Sequence, residues 1–277
     1  MVAGLLFGLL VILYDFTLRR RITFRNIVIN KPRIAVYTAV AVSGFVFIQQ
    51  DTWYTQSYIN SVPVVAHNTH KIEYNDDTGV YTITKSTDDF KILHLTDIHI
   101  GGSLYSYRKD LKALKACFAE IEHTHPDLVV VTGDLCFPLG IMSMSLNNTA
   151  PVGQFAAFMR NTGIPWAFTY GNHDPESLAY GNKRELDEIY KSLSFKTSAN
   201  LLYPYIQPDI MGRNNQLIEI RNSDGSDKVK YFYGENPGDH GGITNDLVCC
   251  SDYPSKMFDR ALQCRALKRK RNSVVRN

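Results

Sequence analysis

Three short polar clusters punctuate the middle of the chain: Asp97-Ile98-His99, Gly133-Asp134 and Gly171-Asn172-His173-Asp174. They follow one another at nearly equal spacing. Each comes directly after a run of strand-forming residues: 91–96 (Lys-Ile-Leu-His-Leu-Thr), 128–132 (Leu-Val-Val-Val-Thr) and 166–170 (Trp-Ala-Phe-Thr-Tyr). Segment 107–123 lies between the first two, and its Leu111, Leu114, Cys117, Phe118 and Ile121 fall on one helical stripe. Pro126 stops it. Shorter helices are expected over 154–160 and 183–193. Strands alternating with helices constrain the chain to parallel βαβ units, whose strand ends converge on one edge. Carboxylate, imidazole and amide groups gathered on that edge suit hard or borderline divalent metals.

Within each cluster the residue types have a chemical reading. Side chains alternate along a strand, so Asp97 and His99 are expected on one side, able to grip one ion. Gly133 allows a tight turn that aims Asp134 into the same edge. A carboxylate there can bridge two ions about 3.5–4 Å apart. Asn172 offers a carbonyl oxygen to a second ion, His173 can protonate a leaving group, and Asp174 can orient His173 and fix its tautomer.

The three clusters together resemble the calcineurin-like metallophosphoesterases, whose motifs read Asp-x-His, Gly-Asp and Gly-Asn-His-Asp/Glu. Residues 90–195 carry the resemblance closely, and Ile164-Pro165-Trp166 is similar to a subgroup near the small purple-acid-phosphatase-like proteins. The resemblance implies an α/β fold, a metallophosphoesterase-like β-sandwich flanked by helices. It implies hydrolysis of a phosphate mono- or diester at two divalent ions, Mn, Fe, Zn or similar. Asp97 and His99 would bind the first ion, Asp134 would bridge, Asn172 would bind the second, and His173, with Asp174 behind it, would act near the scissile phosphate. Purple acid phosphatases place a ligating Tyr three residues after the bridging Asp. Here that residue is Phe137, so a phenolate-bound Fe(III) is not expected.

The resemblance thins in the second half. The family takes a lone His and a Gly-His-x-His cluster from that region, and neither is visible. His240, in Gly238-Asp-His-Gly-Gly242, reads as a loop histidine, although a substitute-ligand role is conceivable. His123 and His125 read as solvated helix-end residues. Residues 245–263 are similar to the segment before Gly-His-x-His, after which the sequence turns basic and ends. That pattern is expected of a shortened product with an incomplete second half and a weak second metal site. The rival to a shortened product is a genuine tail whose basic run binds anionic lipid or a partner. The alternative to an active enzyme is a truncated, impaired or inactive remnant that acts at most as a membrane-tethered binding domain.

Charge is distributed unevenly. Arg19, Arg20, Arg21, Arg25, Lys31 and Arg33 form one basic stretch, and Arg265, Lys268, Arg269, Lys270, Arg271 and Arg276 another. The 30 Lys and Arg less these 12 leaves 18, against 27 Asp and Glu, so the body of the protein is acidic. An acidic body disfavours nucleic acid as a partner. Residues 1–18 and 34–50 are apolar enough to suggest one or two transmembrane helices with the basic loop 19–33 between them. The positive-inside rule puts that loop in the cytoplasm and everything after residue 50 on the non-cytoplasmic side. Membrane lipid is then an expected partner of the first segment. The organisation expected is a membrane anchor over 1–50, a lead-in over 51–90, the phosphoesterase domain over 91–263 and a disordered basic tail over 264–277. Asn147-Asn148-Thr149 fits a glycosylation acceptor. The five cysteines lack zinc-type spacing and read as buried or free thiols.

Overall fold

The computed structural model describes residues 8, 10, 31–48, 52–67, 69–138, 145–175, 179–197, 200–206, 216–224, 228–233, 235–237, 243–245 and 248–251. Residues 1–52 form one compact unit and residues 53–277 another. His240 and the basic tail lie outside the described residues.

In the first unit, helix α1 spans Lys31–Ile48. Its apolar residues are spread round the whole circumference rather than along a stripe. Among the described residues no helix is long and apolar enough to cross a membrane. The expectation of a span over 34–50 is therefore not met. Helix α1 opens on Lys31, Pro32 and Arg33, and its remaining apolar turns, at about 1.5 Å per residue, fall short of a ~30 Å hydrocarbon core. The expected span over 1–18 lies almost entirely outside the described residues.

The second unit begins with a short helix, α2 (Gln56–Ser61), and a hairpin of β1 (Lys71–Asn75) and β2 (Val80–Thr84). The strand–helix alternation follows: β3 (Ile92–Leu95), α3 (Tyr107–Thr124), β4 (Leu128–Thr132), α4 (Thr149–Thr162), β5 (Trp166–Thr169) and α5 (Lys183–Ser192). Strands β6 (Gln216–Arg221) and β7 (Lys228–Tyr233) form an antiparallel pair, followed by β8 (Glu235–Pro237), β9 (Ile243–Asn245) and β10 (Val248–Ser251).

Strands β3, β4 and β5 are parallel neighbours in that order, as the alternation predicts. A second sheet has the order β1-β2-β6-β7-β10, with β2 parallel to β6. Residues 71–84 of the lead-in therefore belong to the sheet system.

Strand β4 is buried along its whole length, as a central parallel strand must be. Its alternate residues serve two cores. Leu128 and Val130 face Tyr81, Ile83, Ile218 and Ile220 of the other sheet. Val129 and Val131 face the helices, where Leu114, Ile121, Phe155, Phe158, Trp166 and Phe168 are all buried. Burial of side chains this large contributes about 1.5–3 kcal/mol each. The result is a two-sheet sandwich with α3, α4 and α5 on its outer face, and it holds the C-terminal ends of β3, β4 and β5 side by side.

Candidate metal centre

All three polar clusters leave their strands before the chemistry begins. Strand β3 ends at Leu95, and Asp97 and His99 both adopt left-handed backbone, with φ of 56° and 55°. Alternation along a strand is thus not what aligns them. Asp134 is left-handed as well, with φ of 52°. Of the four described non-glycine residues in this region, three are candidate metal ligands. Each such residue costs on the order of 1–2 kcal/mol. Backbone hydrogen bonds between the two loops offset that cost. The Asp97 N–H donates to Gly133 O (3.2 Å), the His99 N–H to Asp134 O (2.9 Å) and the Ile100 N–H to Leu135 O (2.8 Å). The parallel ladder of β3 and β4 continues into the loops and carries both sets of ligands with it.

Beyond His99 the chain is fastened by Asp110 in the first turn of α3. Its buried carboxylate accepts from the Gly101 and Gly102 N–H groups (3.0 and 2.9 Å) and from the Ser106 hydroxyl (2.7 Å).

The side chains of His99, Asp134 and His173 converge, with one ligand atom from each lying within 4.8 Å of the others. His99 Nε2 is 3.7 Å from Asp134 Oδ2 and 3.8 Å from Asp97 Oδ1. The Thr96 hydroxyl donates to Asp97 Oδ2 (2.7 Å), and the His173 N–H donates to Asp134 Oδ1 (2.9 Å). One carboxylate oxygen of Asp134 is thereby anchored while the other faces His99. Phe137 packs against both imidazoles, 5.1 Å from His99 and 4.9 Å from His173 by ring centroids, and the two imidazoles themselves meet edge to face at 5.5 Å. Asn172 is exposed on the same loop as His173. His99 and Asp134, with Asp97 beside them, form a donor set that fits one borderline divalent ion, and the His173 imidazole lies within reach of it.

Asp174 takes a place the sequence did not suggest. It is fully buried, and both its oxygens accept backbone amides rather than orienting His173. Gly171 N–H (2.7 Å) and Asp134 N–H (3.0 Å) donate to Oδ2, and Cys136 N–H (2.9 Å) donates to Oδ1. Burial pushes its pKa up to about 7, against the lowering effect of these amides. Asp174 is therefore a clamp between the second and third loops. Burial likewise raises the pKa of the Cys136 thiol well above its ordinary value, and Cys117 and Cys136 are both buried free thiols.

Sequence reasoning also missed Gly171, Asn147 and Asn148. A Cβ on Gly171 would lie 2.1 Å from Asp134 Oδ1 and 2.2 Å from Asp134 N, so no other residue fits there. Asn148 is fully buried. Its Nδ2 donates to Asp174 O (2.8 Å) and Gly181 O (2.7 Å), and its Oδ1 accepts from Gly181 N–H (2.8 Å). Asn147, the expected glycan acceptor, is also buried, and its Oδ1 accepts from Thr149 N–H, the Thr149 hydroxyl and Ala150 N–H at the start of α4. A residue so engaged leaves a glycan no room. The doubled Asn before a helix was the available signal, since Asn is a preferred cap.

The profile of the calcineurin-like phosphoesterase family matches residues 90–262. The chain belongs to the calcineurin-like phosphoesterase family. Among curated proteins the chain is 29% identical over 141 residues to the "Probable inactive purple acid phosphatase 28" of Arabidopsis thaliana, covering 47% of this chain and 34% of that protein. It is 29% identical over 134 residues to "Phosphatase DCR2" of Saccharomyces cerevisiae, covering 44% of this chain and 23% of that protein. The chain thus spans about a third or less of the length of these relatives. No solved structure matches. Family membership accounts for the order of the three clusters, each placed after a parallel strand.

Proposed function

We propose that this chain is a metal-dependent phosphoesterase acting on a phosphate mono- or diester. The observation that carries this reading is the convergence of His99, Asp134 and His173, with Asp97 beside them, at the ends of β3, β4 and β5. In this reading Asp97, His99 and Asp134 hold a first divalent ion, and Asp134 with Asn172 holds a second, weaker one. When bound, divalent ions supply Lewis-acid charge to phosphoryl oxygens and make water a better nucleophile.

The chain's own residues do the rest. Asp134 presents Oδ2 because Oδ1 is anchored on the His173 amide. His173 delivers a proton to the departing alcohol. Phe137 limits rotation of both imidazoles and keeps water off their inner faces. Asp174 fixes the spacing of the Asp134 and His173 loops through its three amide bonds.

The test is turnover of an aryl phosphate by the purified full-length chain with added Mn(II). Asp134→Asn is expected to lower kcat/KM more than about 100-fold, since it removes charge stabilisation from the transition state. Unchanged turnover in that variant would sink the assignment. A second reading is a binding domain that keeps part of the site, favoured by the likeness to the probable inactive purple acid phosphatase of Arabidopsis thaliana. Absence of turnover in the wild type with at most one ion bound would favour it.

The proposal extends to membrane attachment through the N-terminal unit, with the phosphoesterase domain on the non-cytoplasmic side. Support comes from the sequence alone: the uncharged run 1–14 and the basic residues Arg19, Arg20, Arg21 and Arg25 that follow it. Alkaline extraction of membranes tests it: a chain released with soluble proteins would refute the anchor.

A further inference from the structure

Across β4 from Asp134, just before the strand begins, two more imidazoles meet. His67 Nε2 lies 2.9 Å from His125 Nδ1, and the rings are edge-to-face with centroids 4.3 Å apart. Both residues are exposed. We propose that His67 and His125 form a second metal-binding site, for a borderline divalent cation such as Zn(II), Ni(II) or Cu(II), separate from the Asp134 centre.

The chemistry is that of neutral imidazole pairs, which suit Zn, Cu and Ni better than Mg or Ca. A tetrahedral ion with Zn–N bonds of about 2.0–2.1 Å holds its nitrogens about 3.3 Å apart, so the pair needs to open by only a few tenths of an ångström. As the pair stands, one nitrogen carries the proton of an N–H···N hydrogen bond. Entry of the ion shifts that histidine to its other tautomer: the coordinating nitrogen gives its proton to water while the second ring nitrogen takes one up, so the imidazole stays neutral, and solvent fills the remaining coordination positions.

Both backbones are already fixed. His125 is the left-handed cap of α3, with φ of 46°, and its N–H donates to Ile121 O (2.9 Å). Two residues on, the buried Asp127 accepts from Lys91 N–H (2.7 Å) and pairs with the buried His70 (2.8 Å). His67 follows Val65 and Ala66, whose N–H groups both donate to Thr162 O (3.0 and 3.1 Å). The His70–Asp127 pair therefore joins the same two segments that His67 and His125 join. Little ordering is left for the ion to impose, which is the usual cost of a two-ligand site. His70 itself is not a candidate ligand: its Nδ1 accepts the Ser86 N–H (3.0 Å) and its Nε2 faces Asp127.

Equilibrium dialysis of the full-length chain against Zn(II) tests the proposal. His67→Gln, His125→Gln and the double variant should each lose the same single ion, with affinity at that site falling more than about tenfold. His123→Gln, exposed two residues before His125, should keep it. Asp134→Asn should lose a different ion and retain this one, so failure here and failure of the phosphoesterase reading are distinguishable. Electron paramagnetic resonance of Cu(II) added to a chain carrying both Asp134→Asn and His99→Gln should show two coordinated nitrogens, lost on adding His67→Gln. If a His67 or His125 variant misfolds, seen as loss of the native far-ultraviolet circular dichroism, the nitrogen count in that Asp134→Asn, His99→Gln chain decides. Wild-type stoichiometry and affinity in folded His67→Gln and His125→Gln chains, or no nitrogen coupling, would overturn the site.

Discussion

At the scale of single residues the candidate centre depends on an absent side chain as much as on those present. Gly171 leaves the space that Asp134 fills, with both the Asp134 carboxylate and its amide nitrogen against it. Gly171→Ala should shift the Asp134 loop, destabilise the domain by about 1–3 kcal/mol and weaken metal binding at least about tenfold. Denaturant unfolding and metal titration read the two effects; an alanine variant with wild-type affinity would mean that Asp134 does not need this position. The residue types of the centre were legible from sequence, because Asp-x-His, Gly-Asp and Gly-Asn-His-Asp each follow an apolar run. Their geometry was not. Strand alternation predicts Asp97 and His99 side by side, but what aligns them is left-handed backbone tied to the next loop. Asp174 reads as a partner for His173 because it is adjacent in sequence, and only the folded loops show that it serves amides instead.

At the scale of elements, β3, β4, β5, α3 and α5 were readable from periodicity, since each shows one buried face or a fully apolar run. Helix α4 was read too short. Pro151 and Gly153 argue against a helix, but a Pro in the first turn loses no hydrogen bond, and the Asn147 side chain supplies the missing cap. The junction of β3 and β4 carries a pH response. His94 of β3 pairs with the Thr132 hydroxyl of β4, and desolvation lowers its pKa. A histidine whose folded pKa lies below its unfolded value of about 6.5 binds fewer protons when folded. Its contribution to stability is therefore complete well above pH 6.5 and is lost as pH falls below that value. The urea midpoint should decline as pH is lowered from 7.5 to 5.5, with a shallower slope in His94→Gln; identical slopes would exclude His94 as the source. His94 is partly exposed, so the effect is modest.

At the scale of the whole molecule, the sandwich brings three loops together and the ion is a ligand of the finished fold. An ion present at 100 times its dissociation constant stabilises by about 2.7 kcal/mol, which for a domain of this size corresponds to about 5–10 °C in Tm. Chelation should lower Tm by that order in the wild type, and the Asp134→Asn chain should lose the part due to the candidate centre. Equal sensitivity of both proteins to chelator would mean that the stabilising ion sits elsewhere. The same chelated chain should keep its far-ultraviolet circular dichroism at 25 °C.

That last expectation follows from the way Asp174 works. The loops bearing Asp134 and His173 are joined by main-chain amides that converge on one buried carboxylate, and the loop bearing His99 is joined to its neighbour by main-chain bonds and by the Thr96 hydroxyl, which donates to Thr132 O. Apart from Asp134, whose Oδ1 also holds the His173 amide, these links do not pass through a metal-facing side chain. The architecture thus largely separates what builds the pocket from what works in it. A lineage can exchange or discard the working side chains other than Asp134 and still inherit the cavity, so in this fold loss of an activity need not entail loss of the protein.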